Sequence, residues 1–101
     1  MLTDRIEALG IDDNGSLWLK PCHARFPHIY RAAAGIAWDE EQQRLYSPAP
    51  REWSYFDWFK RIHQAVIQEY DTDLFVDEES SWSNIDDGLR LAILALFKEP
   101  K

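Results

Sequence analysis

Trp53-Ser54-Tyr55-Phe56-Asp57-Trp58-Phe59 opens the clearest helix of the chain, and five of these seven residues are aromatic. Tyr55, Trp58, Phe59, Ile62, Val66 and Tyr70 recur at three- and four-residue intervals, with Lys60, Arg61, Gln64 and Gln68 on the other side. That is the pattern of an amphipathic helix of about four turns. Ser54, with Asp57 three residues later, supplies a capping-box start, Asp standing in for the usual Glu or Gln. Rings this dense build either a core or a binding surface. Trp53, Tyr55 and Trp58 cannot all face the core, because positions 55 and 58 share a helix face while 56 and 57 lie elsewhere. A ring is therefore expected at an edge of the packing.

Upstream, Ser47-Pro48-Ala49-Pro50 reads as a stiff extended linker, since each proline fixes its own φ and restricts the residue before it. Arg44 to Ser47 resembles a strand returning from the polar turn Asp39 to Gln43. Residues 28–38 are ambiguous: Ala32 to Ala34 favour a helix, Gly35-Ile36-Ala37-Trp38 a strand. The hairpin context selects a strand. Ser16 to Lys20 forms another, after a turn at Asp12-Asp13-Asn14-Gly15 and before Pro21. Leu2, Ile6 and Leu9 sit at helical spacing ahead of Gly10, which predicts a short N-terminal helix over Thr3 to Leu9.

Downstream, Leu74-Phe75-Val76 reads as a strand and Asp77 to Ser81 as a solvated loop. Ser83 and Asp86 repeat the capping pattern ahead of a helix over Ile85 to Phe97. Its stretch Leu91 to Phe97 has no polar face, so Leu91, Leu94 and Phe97 are expected where a second copy would pack. The fold class expected is α+β: a small, mainly antiparallel sheet from residues around 16–20, 28–38, 43–47 and 73–77. Two longer helices pack on one of its faces, and a short helix precedes it. A chain of 101 residues with 46% hydrophobic content suits one such domain, spanning 1–101.

The net charge of −7 disfavours a role in holding nucleic-acid phosphates. Charge is unevenly spread: Asn14 to Trp38 contains no acidic residue but has Lys20, Arg25 and Arg31. The single Cys22 cannot form an internal disulfide, and the first residues lack the basic-then-apolar order of a signal peptide. No apolar run approaches the roughly 20 residues of a membrane span. A cytoplasmic protein is expected.

Candidate chemistry is sparse. Cys22-His23 is a weak nucleophile or metal signal, because neighbouring side chains in an extended segment point apart and no second Cys exists. The acidic clusters suit turns and caps better than calcium loops or acid/base pairs. No phosphate loop, nucleophile elbow or zinc motif occurs, so neither a cofactor nor a metal is expected, and an enzyme is unsupported. What stands out is Arg51-Glu52-Trp53 beside the aromatic helix start. With Tyr55, Trp58, Arg31 and His28 it could contact a planar ligand or anchor a protein partner.

The segments Phe26 to Ala33 through Trp38, Leu45-Tyr46-Ser47-Pro48, Arg51-Glu52-Trp53-Ser54 and Trp58-Phe59 resemble small hypothetical proteins of mobile integron gene cassettes. The resemblance covers about the middle third of the chain and brings no assigned chemistry. It implies a bacterial, cytosolic accessory α+β protein, commonly oligomeric. The expectation is a non-enzymatic binding or interaction module that homo-oligomerises. The alternatives are a binder of a small anionic or aromatic molecule, or a minor enzyme, with its pocket near the start of the central helix, and an acidic, immunity-like inhibitor that covers a basic partner.

Overall fold

In the computed structural model, which describes residues 1–51 and 53–98, the first ten-residue element is a strand. This strand, β1 (Leu2–Ile11), lies inside a mixed sheet that also holds β2 (Leu17–Pro21), β3 (Ala37–Asp39), β4 (Arg44–Tyr46), β5 (Thr72–Phe75) and β6 (Ser81–Ser83). Two helices, α1 (Tyr55–Tyr70) and α2 (Asp87–Ala95), complete an α+β fold.

The N-terminal helix expected from sequence is absent from these residues, and the cause is a bulge. β1 pairs Ile6 with Pro21 and then Ala8 with Lys20, so Glu7 is the extra residue. A bulge shifts the alternation by one position. Asp4 and Ile6 face the core before it and Leu9 after it. Ile6 and Leu9 thus share a face three residues apart, which is also helical spacing.

The sheet order is β3-β4-β2-β1-β5, with β6 also paired to β1. β2, β3 and β4 pair antiparallel, whereas β5 and β6 both run parallel to β1, so the sheet is mixed rather than mainly antiparallel. β5 covers Leu2 to Arg5 of β1 and β6 covers Ala8 to Gly10, so the two lie end to end along one edge. Between them, the buried Ser80 hydroxyl donates to the Ile6 carbonyl (2.6 Å) and accepts from the Asp77 amide (3.2 Å). β6 falls where the sequence suggested a loop and a cap.

Residues 28–38 form a strand only at their end. Ile29–Arg31 is a short 3-10 turn, and β3 begins at Ala37. Ile29 and Ala33 are buried while Tyr30 and Arg31 are exposed, a one-sided pattern that suits a turn pressed onto α1. The His28 amide donates to the Tyr70 hydroxyl (2.8 Å), tying this segment to the far end of α1.

α1 has the capping box read from sequence: Ser54 accepts from the Asp57 amide and Asp57 from the Ser54 amide. It buries Phe59, Ile62, Ala65 and Val66 and ends at Asp71 in the left-handed region (φ 50°). β5 follows at once. α2 starts later than expected and is capped by Asp86, whose carboxylate accepts from the Leu89 amide (2.7 Å). Ile93 joins the core, a single cluster that includes Leu9, Leu17, Leu19, Leu45, Phe59 and Leu74. Among the described residues no helix is long and apolar enough to cross a membrane.

On the face away from this core, Gly10 pairs with Trp18 and Ser83. A Cβ at Gly10 would lie 2.6 Å from the Ser83 carbonyl oxygen and 2.9 Å from the Trp18 ring. Gly10→Ala is therefore expected to destabilise the fold by about 1–3 kcal/mol, read as a lower midpoint of urea unfolding.

Candidate functional site

The linker Pro48 to Arg51 runs past the start of α1, and the loop before β3 comes in from the other side. A cleft of about 640 Å³ lies between them, lined by Ala34, Pro48, Ala49, Arg51 and, from α1 and the residues before it, Trp53, Trp58 and Arg61. Gly35 brings the walls together. Its φ of 87° is a conformation that suits glycine, and a Cβ there would sit 3.4 Å from the Trp58 ring and 3.5 Å from Pro48.

Trp53 and Trp58 pack at 5.0 Å between ring centroids with planes tilted by 48°. The Arg61 guanidinium lies over the Trp53 ring at 5.3 Å, a contact that holds its charge at the mouth of the cleft. Trp53 is 42% exposed, the edge ring that the crowding of aromatics required. The indole N–H of Trp58 is buried with no hydrogen-bond partner among the described residues. An unmet buried donor costs about 1–3 kcal/mol.

Along the outward stripe of α1 runs a second, larger groove of about 780 Å³ that shares Trp53 and Arg61 and adds Asp57, Lys60, His63 and Gln64. Two of its basic side chains have carboxylate neighbours, Lys60 with Asp57 at 3.6 Å and His63 with Asp73 at 2.9 Å. In the smaller cleft no acidic side chain lines the wall among the described residues, and neither Arg51 nor Arg61 makes an ion pair with one of them. The smaller cleft is thus the more selective feature. The amides at the start of α1 do not add to it, because the Ser54–Asp57 box already occupies that end.

Of the residues singled out from sequence, the structure gathers Arg51, Trp53 and Trp58 in this cleft. Tyr55 is instead a tie, its hydroxyl donating to the Gly15 carbonyl (2.8 Å) and pinning the β1–β2 turn to α1. His28 and Arg31 are exposed on the 3-10 segment and line neither cleft. Glu52 lies outside the described residues. Arg61 was missed because its place on the polar stripe of α1 reads as ordinary solvation. Its spacing of eight residues from Trp53 was the available signal.

At the proposed self-interface, Leu91 is 67% exposed, whereas Leu94 and Phe97 pack against the core cluster. Phe97 meets Phe59 edge-on at 6.0 Å and His63 at 5.3 Å.

Near Cys22, the nearly buried Asp4 accepts from the His23 and Ala24 amides at 3.0 and 2.9 Å, an anchor for the loop after β2. Burial pushes the Cys22 thiol up, the Arg5 guanidinium opposes this, and the carboxylates of Asp4, Glu7 and Asp77 add to the rise. A thiol held protonated is a poor nucleophile. Among the described residues no group of three or more His, Cys, Asp or Glu side chains could hold a metal ion.

The sequence model of the integron cassette protein Hfx_Cass5 matches residues 4–80, a span that contains every residue lining the smaller cleft. The chain belongs to the Hfx_Cass5 family of integron cassette proteins. The solved structure of Hfx_Cass5, from the mobile metagenome of North West Arm Sewage Outfall, is 33% identical to this chain. That similarity covers 94% of this chain and 95% of the other, with a TM-score of 0.49. No curated protein matches the chain. The matched span ends at Ser80, so β6 and α2 lie beyond it.

Tyr55→Phe removes the tie to Gly15 and leaves the cleft lining intact. Its expected effect is a loss of about 0.5–1.5 kcal/mol in denaturant unfolding, with the tryptophan emission of the folded state unchanged.

Proposed function

We propose that this member of the Hfx_Cass5 family is a non-enzymatic binding protein whose cleft at the start of α1 holds a small anionic ligand. The observation that carries the reading is that Arg51 and Arg61 both line a cleft of an acidic chain whose other described lining residues are apolar. Two guanidiniums lining one cleft favour an anion there, since a carboxylate or phosphate accepts their N–H groups and offsets their charge. A cleft of about 640 Å³ falls within the size range of small-molecule sites.

What favours binding over catalysis is the kind of side chain lining the cleft. Guanidinium stays protonated in proteins and indole does not exchange protons in this way, so neither serves as a general acid, base or nucleophile. Benzoate is a suitable first probe. It is expected to quench the emission of Trp53 and Trp58 and to raise the unfolding temperature by binding the native state. The Arg51→Ala/Arg61→Ala double variant should lose both effects, and added salt should weaken them. If benzoate, sulfate and phosphate all leave the wild-type protein unchanged at millimolar concentration, the reading fails.

Self-association through α2 is the second reading, favoured by the exposure of Leu91. Leu94→Glu would now disturb the core as well as any interface, so Leu91→Glu is the cleaner substitution. It is expected to leave the fold intact and to lower the solution mass by light scattering to that of a monomer. A mass unaffected by Leu91→Glu would count against self-association through that face.

A further inference from the structure

Resting on the anion-binding reading of the same cleft, we infer that its ligand class is the planar aromatic acid: a flat ring carrying one anionic group and no cationic group. Shape comes first. The non-arginine lining is Ala34, Pro48, Ala49 and the indoles of Trp53 and Trp58, with Gly35 leaving bare backbone where Pro48 and Trp58 converge. A bare inorganic ion would leave these apolar surfaces facing water, and a flat ring covers them. Flat rings also gain from offset or edge-on contact with indole beyond the area they bury.

Charge narrows the class further. Both formal charges on the described lining are positive, and among the described residues no lining carboxylate could receive an ammonium group. A free amino acid, which carries an ammonium beside its carboxylate, would bring that charge against two guanidiniums. The carboxylate of an aromatic acid suits the guanidinium fork, and Arg61 is oriented for it by its stack on Trp53 at 5.3 Å.

The roles separate by residue. Arg51 and Arg61 select for charge, Trp53 fixes the direction of Arg61, and Trp58 with Pro48 selects for flatness. Neither the aromatic residues nor the arginines alone would distinguish an aromatic acid from its neutral or saturated analogue. Their arrangement in one cleft does.

The test is a titration of the full chain, followed by tryptophan emission and calorimetry, with four probes. These are 2-naphthoate, the neutral 2-naphthalenemethanol, the saturated and non-planar cyclohexanecarboxylate, and the amino acid phenylalanine. The expected result is that 2-naphthoate binds at least about tenfold more tightly than each of the other three, a difference that corresponds to about 1.4 kcal/mol. Trp58→Phe keeps a ring in place and removes the N–H. It should leave 2-naphthoate binding within a few-fold, whereas Trp58→Ala should reduce the preference for 2-naphthoate over cyclohexanecarboxylate. Equal binding of naphthoate and cyclohexanecarboxylate overturns the planar class and leaves the anion-binding reading standing. Equal binding of naphthoate and naphthalenemethanol, unaffected by Arg51→Ala/Arg61→Ala, overturns both.

Discussion

β1 is the constraint on which the other elements depend, because both of its edges are occupied, one by the strand that follows it and the other by chain from distant parts of the sequence. β2 runs antiparallel along one side, and β5 and β6 run parallel along the other, end to end. A central strand with unpaired backbone groups would leave buried N–H and C=O dipoles at a cost comparable to lost hydrogen bonds. The gap between β5 and β6 falls at Ile6, and the Ser80 hydroxyl closes it by accepting from Asp77 and donating to the Ile6 carbonyl. One buried side chain thus stands in for a rung of the ladder at the point where the chain changes strands.

That arrangement dictates where α1 lies. A parallel partner for β1 requires a crossover, and α1 leads directly into β5 through the left-handed Asp71. With its apolar stripe against the sheet, α1 presents Lys60, Gln64 and Gln68 outward and leaves its first turn beside the Pro48–Arg51 linker. The aromatic start of α1 therefore divides its rings between duties. Phe59 goes wholly into the core, Tyr55 ties the β1–β2 turn, and Trp53 and Trp58 remain at the edge to form a wall.

Electrostatics then distinguish two neighbouring depressions of comparable size. In the groove along α1, Lys60 and His63 sit beside carboxylates, so part of the local field is offset. In the cleft by the linker, Arg51 and Arg61 share the wall with apolar side chains, and neither makes an ion pair with a described residue. The acidic chain thus places two arginines in one cleft whose other described lining is apolar. The family match embraces this cleft, whereas α2, whose outward face bears Leu91, lies beyond the matched residues.

Local order in the sequence was enough for α1, its capping box, β2, β4 and the need for one ring at an edge, because helical periodicity, caps and turn residues act over a few positions. The family resemblance was also legible, in the Phe26–Trp38 and Arg51–Phe59 segments. Tertiary structure alone decided β1, since a bulge at Glu7 gives Ile6 and Leu9 the same spacing on a strand that they would have on a helix. It decided the parallel pairing of β5 and β6, which depends on contacts with residues more than sixty positions away. The 3-10 turn at Ile29 is tied through His28 to Tyr70, 42 positions away. The cleft follows the same rule: Arg51 and Trp53 could be noticed as neighbours, but their union with Arg61, Ala34 and Pro48 is a product of packing. Local interactions select the elements. Which side chains meet depends on how non-local pairing closes the sheet.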